Sequence, residues 1–200
     1  MEFNTLFAEW LWSFSLKNSF LDWEIIFFSK YLPYILILSF LGFLLAEHGR
    51  RRRLFIFIEA ALAILVSRGL VTEGIRFFHH VARPFEVWQV IPLVPETLGN
   101  SFPSGHATFY FALATVLFLR NRKWGIWFFI FAIINGFARI AAGVHWPMDV
   151  VGGAAIGIAS AGIIHLLLRR SSEELMLSDM PSASPREVES DLPAQEKNTL

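Results

Sequence analysis

Ser101-Phe102-Pro103-Ser104-Gly105-His106 leads straight into the apolar run Ala107 to Leu119. A Ser-Gly-His turn that opens an apolar helix has a definite physical use. The first backbone N–H groups of a helix have no carbonyl partner, and the helix dipole puts partial positive charge there. Glycine lets an anion approach the backbone, and serine adds a hydroxyl donor. Histidine adds a group that moves a proton near neutral pH. Taken alone, such a turn is an ordinary helix cap with an incidental histidine. Its meaning depends on what lies on either side of it.

On both sides lie long apolar runs. Hydrophobic residues make up 54% of the 200 residues and charged residues 17%, with 21 Phe and 7 Trp; mean hydropathy is +0.50. That balance points to an all-α, polytopic membrane bundle rather than a soluble domain. Without cysteine, disulfides, thiolate metal sites and a thiol nucleophile are excluded. The zero net charge is a sum of segregated clusters, and no basic patch suggests nucleic acid as a partner. No basic stretch precedes the first apolar residues, so no cleavable signal peptide is expected.

Working outward, the spans are Tyr31 to Ala46 (extended backward past Pro33), Leu54 to Val71, Ser104 to Leu119, Trp124 to Ala138, and Val150 to Leu168 opened by Asp149. Several fall short of the roughly 20 residues that a perpendicular helix needs, so their polar ends are expected in a wet pocket. Gly152, Gly153, Ala154 and Gly157 form a small-residue packing face on the last span. Met1 to Lys30 mixes Trp and Phe with Glu9, Lys17, Asp22 and Glu24. It fits an amphipathic segment at the membrane surface, a tail packed on the bundle, or a sixth span. The expected division is thus 1–30 interfacial segment, 31–170 transmembrane domain of five to six helices, and 171–200 a disordered tail rich in Ser, Pro and Glu.

Arg50 to Arg53, Arg120 to Lys123, and Arg169 with Arg170 fall on alternate loops, hence on one side, which the positive-inside rule makes cytoplasmic. The loop Thr72 to Asn100 and the loop around His145 then lie outside. Onto that outer face fall Arg76, Arg83, Ser104, Gly105, His106, Arg139, His145 and Asp149, from four separate places in the chain. Charge at membrane depth is costly, so such clustering suggests function. Three guanidinium groups and helix-start amides suit an anion with several oxygens. A neutral histidine held by a carboxylate can attack phosphorus, and a second can protonate the departing oxygen.

Arg76-x6-Arg83-Pro84, Pro103-Ser104-Gly105-His106 and Arg139-x5-His145-x3-Asp149 together resemble the three-part signature of the type 2 phosphatidic acid phosphatase superfamily, over about Leu54 to Leu168. The resemblance implies a metal-independent, cofactor-free lipid phosphatase of the plasma membrane. On it His145 matches the nucleophile that forms a phosphohistidine, Asp149 its orienting carboxylate, and His106 the general acid and then base. Arg76, Arg83, Ser104, Gly105 and Arg139 match the phosphate cradle. Two positions depart from the pattern: Arg76 replaces the usual Lys, and Ala138 the usual Ser before Arg139. A compact chain with an outward site is most like the bacterial undecaprenyl-diphosphate phosphatases. Phosphatidylglycerophosphate or phosphatidic acid as substrate, phosphotransfer to another lipid, and a carrier or flippase that binds without cleaving stay open. The related vanadium haloperoxidases are soluble, which the spans argue against.

Other polar residues have bland readings beside sharp ones. His79 and His80 are adjacent and point apart, so they suit a loop better than a metal pair. Arg68 either snorkels outward or has a functional role, and Glu59 either pairs with another helix or has a functional role. Trp88, Ile91, Leu93 and Val94 are a lid dipping into lipid or an ordinary packed loop.

Overall fold

The computed structural model describes residues 2–178, with side chains through residue 169. Among the described residues there are helices and no strands: α1 (Glu2–Trp12), α2 (Ser19–Ala46), α3 (Arg50–Phe78), α4 (Pro84–Trp88), α5 (Gly105–Arg120), α6 (Arg122–Ala141) and α7 (Pro147–Ser178). By length and composition α2, α3, α6 and the Pro147–Arg169 part of α7 are each able to cross a membrane. The chain is a polytopic membrane protein built on these helices and on α5. At 16 residues α5 is too short for an exposed span, but 11 of the 16 are buried. It is the axis around which the lipid-facing helices stand.

The α5–α7 contact sets the geometry of the whole. A Cβ on Gly153 would lie 2.6 Å from the Ser104 carbonyl oxygen, and one on Gly157 2.5 Å from that of Thr108. The two backbones therefore meet where only hydrogen fits between them, as small-residue membrane interfaces allow. One turn earlier on α7, the Asp149 carbonyl accepts the Ser104 N–H at 2.9 Å. Close packing of two glycines thus fixes the start of α7 against the start of α5.

Two helices run further than their sequence suggests, each through a π-helical widening. In α2 the widening covers Phe27–Tyr31, just before Pro33. Proline has no N–H, so the carbonyl one turn before it loses its helical partner. Asn135 of α6 supplies a substitute: its Nδ2 donates to the Phe28 oxygen at 2.7 Å and to the Ser29 oxygen at 3.3 Å. The boundary expected at Lys30 therefore lies inside an unbroken helix that begins at Ser19. In α3 the widening covers Leu65–Thr72. The Thr72 hydroxyl donates to the Ser67 carbonyl at 2.9 Å and lies 3.3 Å from the Thr108 hydroxyl of α5. Thr72-Glu73-Gly74 has loop composition, yet the buried threonine ties it into the bundle. The loop expected from Thr72 starts after Phe78 instead, and Arg76 stands on the last helical turn.

The N-terminal helix packs on the bundle and is also partly exposed. Ala8 is buried with Ile140 and Trp146, the Ser15 hydroxyl donates to the Ala141 carbonyl at 2.7 Å, and Asn4 accepts the Met148 N–H at 3.0 Å. Phe3, Leu6, Trp10 and Phe14 remain exposed. At the far end, the tail expected from Ser171 begins within the last turns of α7, and residues 179–200 lie outside the described residues.

Candidate active site

All the outer-face residues of the sequence reading gather at one end of the bundle, opposite the basic run Arg50 to Arg53. His145 sits in the short connection between α6 and α7. Gly143, at φ +76°, makes that turn possible, and Pro147 starts the next helix with a fixed φ. The first turn of α7 brings the Asp149 carboxylate back over the connection. Its Oδ2 accepts the Trp146 N–H at 2.7 Å and the Ser101 hydroxyl, and lies 3.4 Å from His145 Nδ1. The Ser101 hydroxyl is itself 3.5 Å from that nitrogen. With Nδ1 facing the carboxylate, Nε2 is the nitrogen left to react.

His145 is 1% exposed. Burial, followed by the positive charge of Arg139 and Arg83, holds its pKa well below the usual 6.5. The imidazole is therefore neutral at physiological pH, the state a nucleophile requires.

His145 lines a cavity of about 290 Å³ together with Arg76, Arg83, Arg139, Gly105 and His106. The arginines are anchored by part of their guanidinium groups only. Arg83 donates to the Val144 carbonyl at 3.0 Å and to the Asn100 carbonyl at 3.4 Å. Arg76 donates to the Pro103 carbonyl at 2.9 Å. The Nε atoms of Arg76, Arg83 and Arg139 are buried with no hydrogen-bond partner. Three partly unsatisfied guanidinium groups around one void form a seat for a polyoxygen anion. Among the described residues no three His, Asp or Glu side chains group so as to hold a metal ion.

Four residues that the sequence reading did not assign also belong here. Glu96 lines the cavity, bonds Arg139, and lies 3.8 Å from Arg83. Burial pushes its pKa up, but the two guanidinium groups outweigh burial and hold it below 4.5. Arg68 lines the cavity, bonds Glu73, and packs so tightly on Gly105 that a Cβ there would strike its guanidinium. Its signal was a charge within a span, which has two readings from sequence. Ser101 holds Asp149. Asn100 pins the loop, donating to the Arg76 carbonyl and accepting the Val81 N–H at 2.6 Å. Nothing in composition or spacing marks Glu96, Ser101 or Asn100.

Ser104 stands at the start of α5, beside the cavity-lining Gly105. It is buried, it does not line the cavity, and its hydroxyl caps α5 by accepting the Ala107 N–H at 3.4 Å. His79 and His80 are exposed, with the His79 ring against Phe102. The loop Trp88 to Val94 divides: Trp88 stacks between Trp12 and Trp146, Val94 is buried, and Ile91 is 87% exposed.

Residues 57–173 match the model of the PAP2 superfamily. Undecaprenyl-diphosphatase BcrC of Bacillus subtilis is 34% identical over 160 residues, covering 79% of this chain and 78% of that one. Bacitracin transport permease protein BcrC of Bacillus licheniformis is 30% identical over 146 residues, covering 72% and 70%. The crystal structure of Aquifex aeolicus LpxE superposes with a TM-score of 0.66 at 27% identity, covering 81% of this chain and 94% of that one.

Proposed function

Because the chain belongs to the PAP2 superfamily and is a membrane lipid phosphatase, we propose that it removes the terminal phosphate of a polyisoprenoid diphosphate such as undecaprenyl diphosphate, through a phosphohistidine at His145. The observation that carries this reading is the pairing of a buried, neutral His145, backed by Asp149, with three incompletely satisfied arginines around one cavity. The similarity to an undecaprenyl-diphosphatase supports the substrate.

The steps follow from the charges. The terminal phosphate replaces the Glu96 carboxylate on Arg139 and Arg83 and meets Arg76. His145 Nε2 attacks phosphorus as the bridging oxygen departs, and the guanidinium groups and the first amides of α5 stabilise the charge that spreads over the equatorial oxygens. Asp149 stabilises the imidazolium-like phosphohistidine. His106 protonates the leaving oxygen, then takes a proton from the water that releases phosphate. None of these steps requires a metal. The basic clusters support an orientation with this site outside the plasma membrane and the C-terminus inside.

The test is phosphate release by purified protein in detergent across undecaprenyl diphosphate, phosphatidylglycerophosphate and phosphatidic acid. The diphosphate is expected to turn over fastest, EDTA to change little, and His145→Ala to lose about a thousandfold or more. Acid-labile label trapped on wild type but not on that variant would identify the intermediate. The name of the Bacillus licheniformis relative favours one other reading, a carrier. Lipid binding with no phosphate release from any substrate would decide for it.

A further inference from the structure

A second polar cavity, of about 440 Å³, adjoins the arginine pocket. Ile37, Glu96, His106, Tyr110 and Arg139 line both, so the two voids are neighbours with His106 on their common wall. The second cavity adds Ser29, Lys30 and Tyr34 of α2. All three lie in or just after the π-helical widening of that helix. Ser29 is fully buried and its hydroxyl has no hydrogen-bond partner. An unmet buried hydroxyl is costly unless a ligand answers it. The Lys30 ammonium lies 5.4 Å from the Tyr31 ring centroid, and among the described residues no carboxylate is within ion-pair distance of it. A buried donor without an acceptor and the ammonium of the exposed Lys30 thus border one void, which shares His106 and Arg139 with the arginine pocket.

We propose that this second cavity is the subsite for the phosphate that leaves with the lipid, and that Ser29 and Lys30 select diphosphates over monophosphates. The inference rests on the reading of His145 as the acceptor of the terminal phosphate. With that phosphate among Arg76, Arg83 and Arg139, the bridging oxygen falls at His106 and the inner phosphate beyond it. As the bond from His145 Nε2 to phosphorus forms, the bond from phosphorus to the bridging oxygen breaks. Its electron pair leaves on the lipid monophosphate, which takes the His106 proton and keeps its remaining charge against Lys30 and the Ser29 hydroxyl. Water then attacks the phosphohistidine, giving up a proton to His106, and inorganic phosphate leaves with His145 neutral again. Glu96 is the carboxylate that faces both voids. Its attachment to Arg139 and Arg83 holds it on the guanidinium groups from which the terminal phosphate displaces it. A monophosphate ester has no second phosphate to offer and makes no use of Lys30.

The test compares Lys30→Met, Lys30→Arg and Ser29→Ala with wild type on undecaprenyl diphosphate and on phosphatidic acid. Inhibition by inorganic pyrophosphate and by orthovanadate is measured alongside. Lys30→Met is expected to lose about tenfold or more in kcat/KM on the diphosphate, with little change on phosphatidic acid. Pyrophosphate inhibition should weaken in parallel and vanadate inhibition should not. Lys30→Arg should recover most of the loss, and Ser29→Ala should shift the same ratio less. Equal losses on both substrates, or pyrophosphate inhibition unmoved in Lys30→Met, would overturn the subsite while leaving the phosphatase reading intact. A wild type that cleaves monophosphates but no diphosphate would remove both the proposed substrate and the subsite.

Discussion

At the basic end of the bundle, Glu59 is fully buried and both its oxygens are taken. Oε2 accepts from Arg120 Nε at 2.9 Å and Nη2 at 2.6 Å, and Oε1 lies 2.7 Å from His165 Nδ1. The Arg120 guanidinium also lies over the Phe55 ring, 5.0 Å from its centroid. This cluster joins α3, α5 and α7. At the opposite end Arg83 and Arg139 are also buried, yet their Nε atoms lack partners, and the carboxylate they share is that of Glu96. Both ends hold a carboxylate on a buried arginine, and the Glu96 end borders the arginine-lined cavity. A buried charge cluster that completes itself holds helices together, whereas one that stays incomplete beside a cavity is waiting for a ligand. Burial alone does not separate the two clusters; Arg83 and Arg139 each keep a buried Nε without a hydrogen-bond partner, whereas Arg120 gives its Nε to Glu59.

The largest expected effect tests the open end. Arg139→Met removes a guanidinium that, on the proposed mechanism, meets the equatorial oxygens, and kcat/KM should fall by about 10²- to 10⁴-fold. Its loss frees Glu96 to rest on Arg83, so the melting temperature in detergent should move little. A large drop in melting temperature with activity intact would erase the contrast between the ends.

The closed end should respond the other way round. Glu59→Ala removes the carboxylate that Arg120 and His165 share inside the bundle, and breaking a buried pair from one side costs about 3–5 kcal/mol. Thermal unfolding should show that loss while the protein that stays folded keeps its kcat. If Glu59→Ala instead lowered kcat without destabilising, the basic end would be a functional site too.

The difference between the ends also marks how much was legible beforehand. Spans, the small-residue face on α7 and the convergence of His145, Asp149 and the arginines follow from hydropathy, spacing and the cost of charge in lipid. Glu59 and Arg68 carry the same signal, a charge inside a span, and the sequence could not tell them apart. Their partners are Arg120, His165 and Glu73, the first two from distant helices, and nothing local specifies those meetings. The extension of α3 past Val71 was hidden because Thr72-Glu73-Gly74 has loop composition and is rescued by a tertiary hydrogen bond to α5. Ser104 carries two roles that one sequence position cannot separate, the hydroxyl donor of a phosphate cradle and a helix cap, and the geometry shows the cap.

A third test links the two ends through the α5–α7 seam. Gly153→Ala places a methyl group 2.6 Å from the Ser104 carbonyl and 3.0 Å from the Ala107 Cβ, so α7 must move off α5 at a cost of about 1–3 kcal/mol. The displacement also opens the bond from Ser104 to Asp149, so kcat should fall along with stability, unlike in Glu59→Ala. Gly162→Ala is the control, since nothing lies within 4 Å of its Cβ position.

The smallest effect concerns Glu96, the carboxylate that occupies the anion seat of the empty pocket. Its pKa is held below 4.5 because Arg139 and Arg83 outweigh burial, so the folded protein binds a proton there less readily than the unfolded chain. Its contribution to stability is present above pH 4.5 and is lost as pH falls through the lowered value. His145 acts in the same direction from higher pH: its depressed pKa makes the unfolded chain the better proton binder below 6.5, so stability declines as the solution is acidified from there. Glu96→Gln removes the first dependence and leaves the second, which melting curves between pH 7 and 4 can separate. The same substitution takes away the charge with which phosphate competes for Arg139 and Arg83. Vanadate should therefore inhibit the variant at a concentration lower by about two- to tenfold, the scale of one charge-assisted contact. KM for the lipid substrate should fall in parallel. If vanadate bound more weakly to Glu96→Gln, the carboxylate would have to be orienting the arginines for phosphate rather than holding its place, and the open end would be less incomplete than its unmet donors indicate.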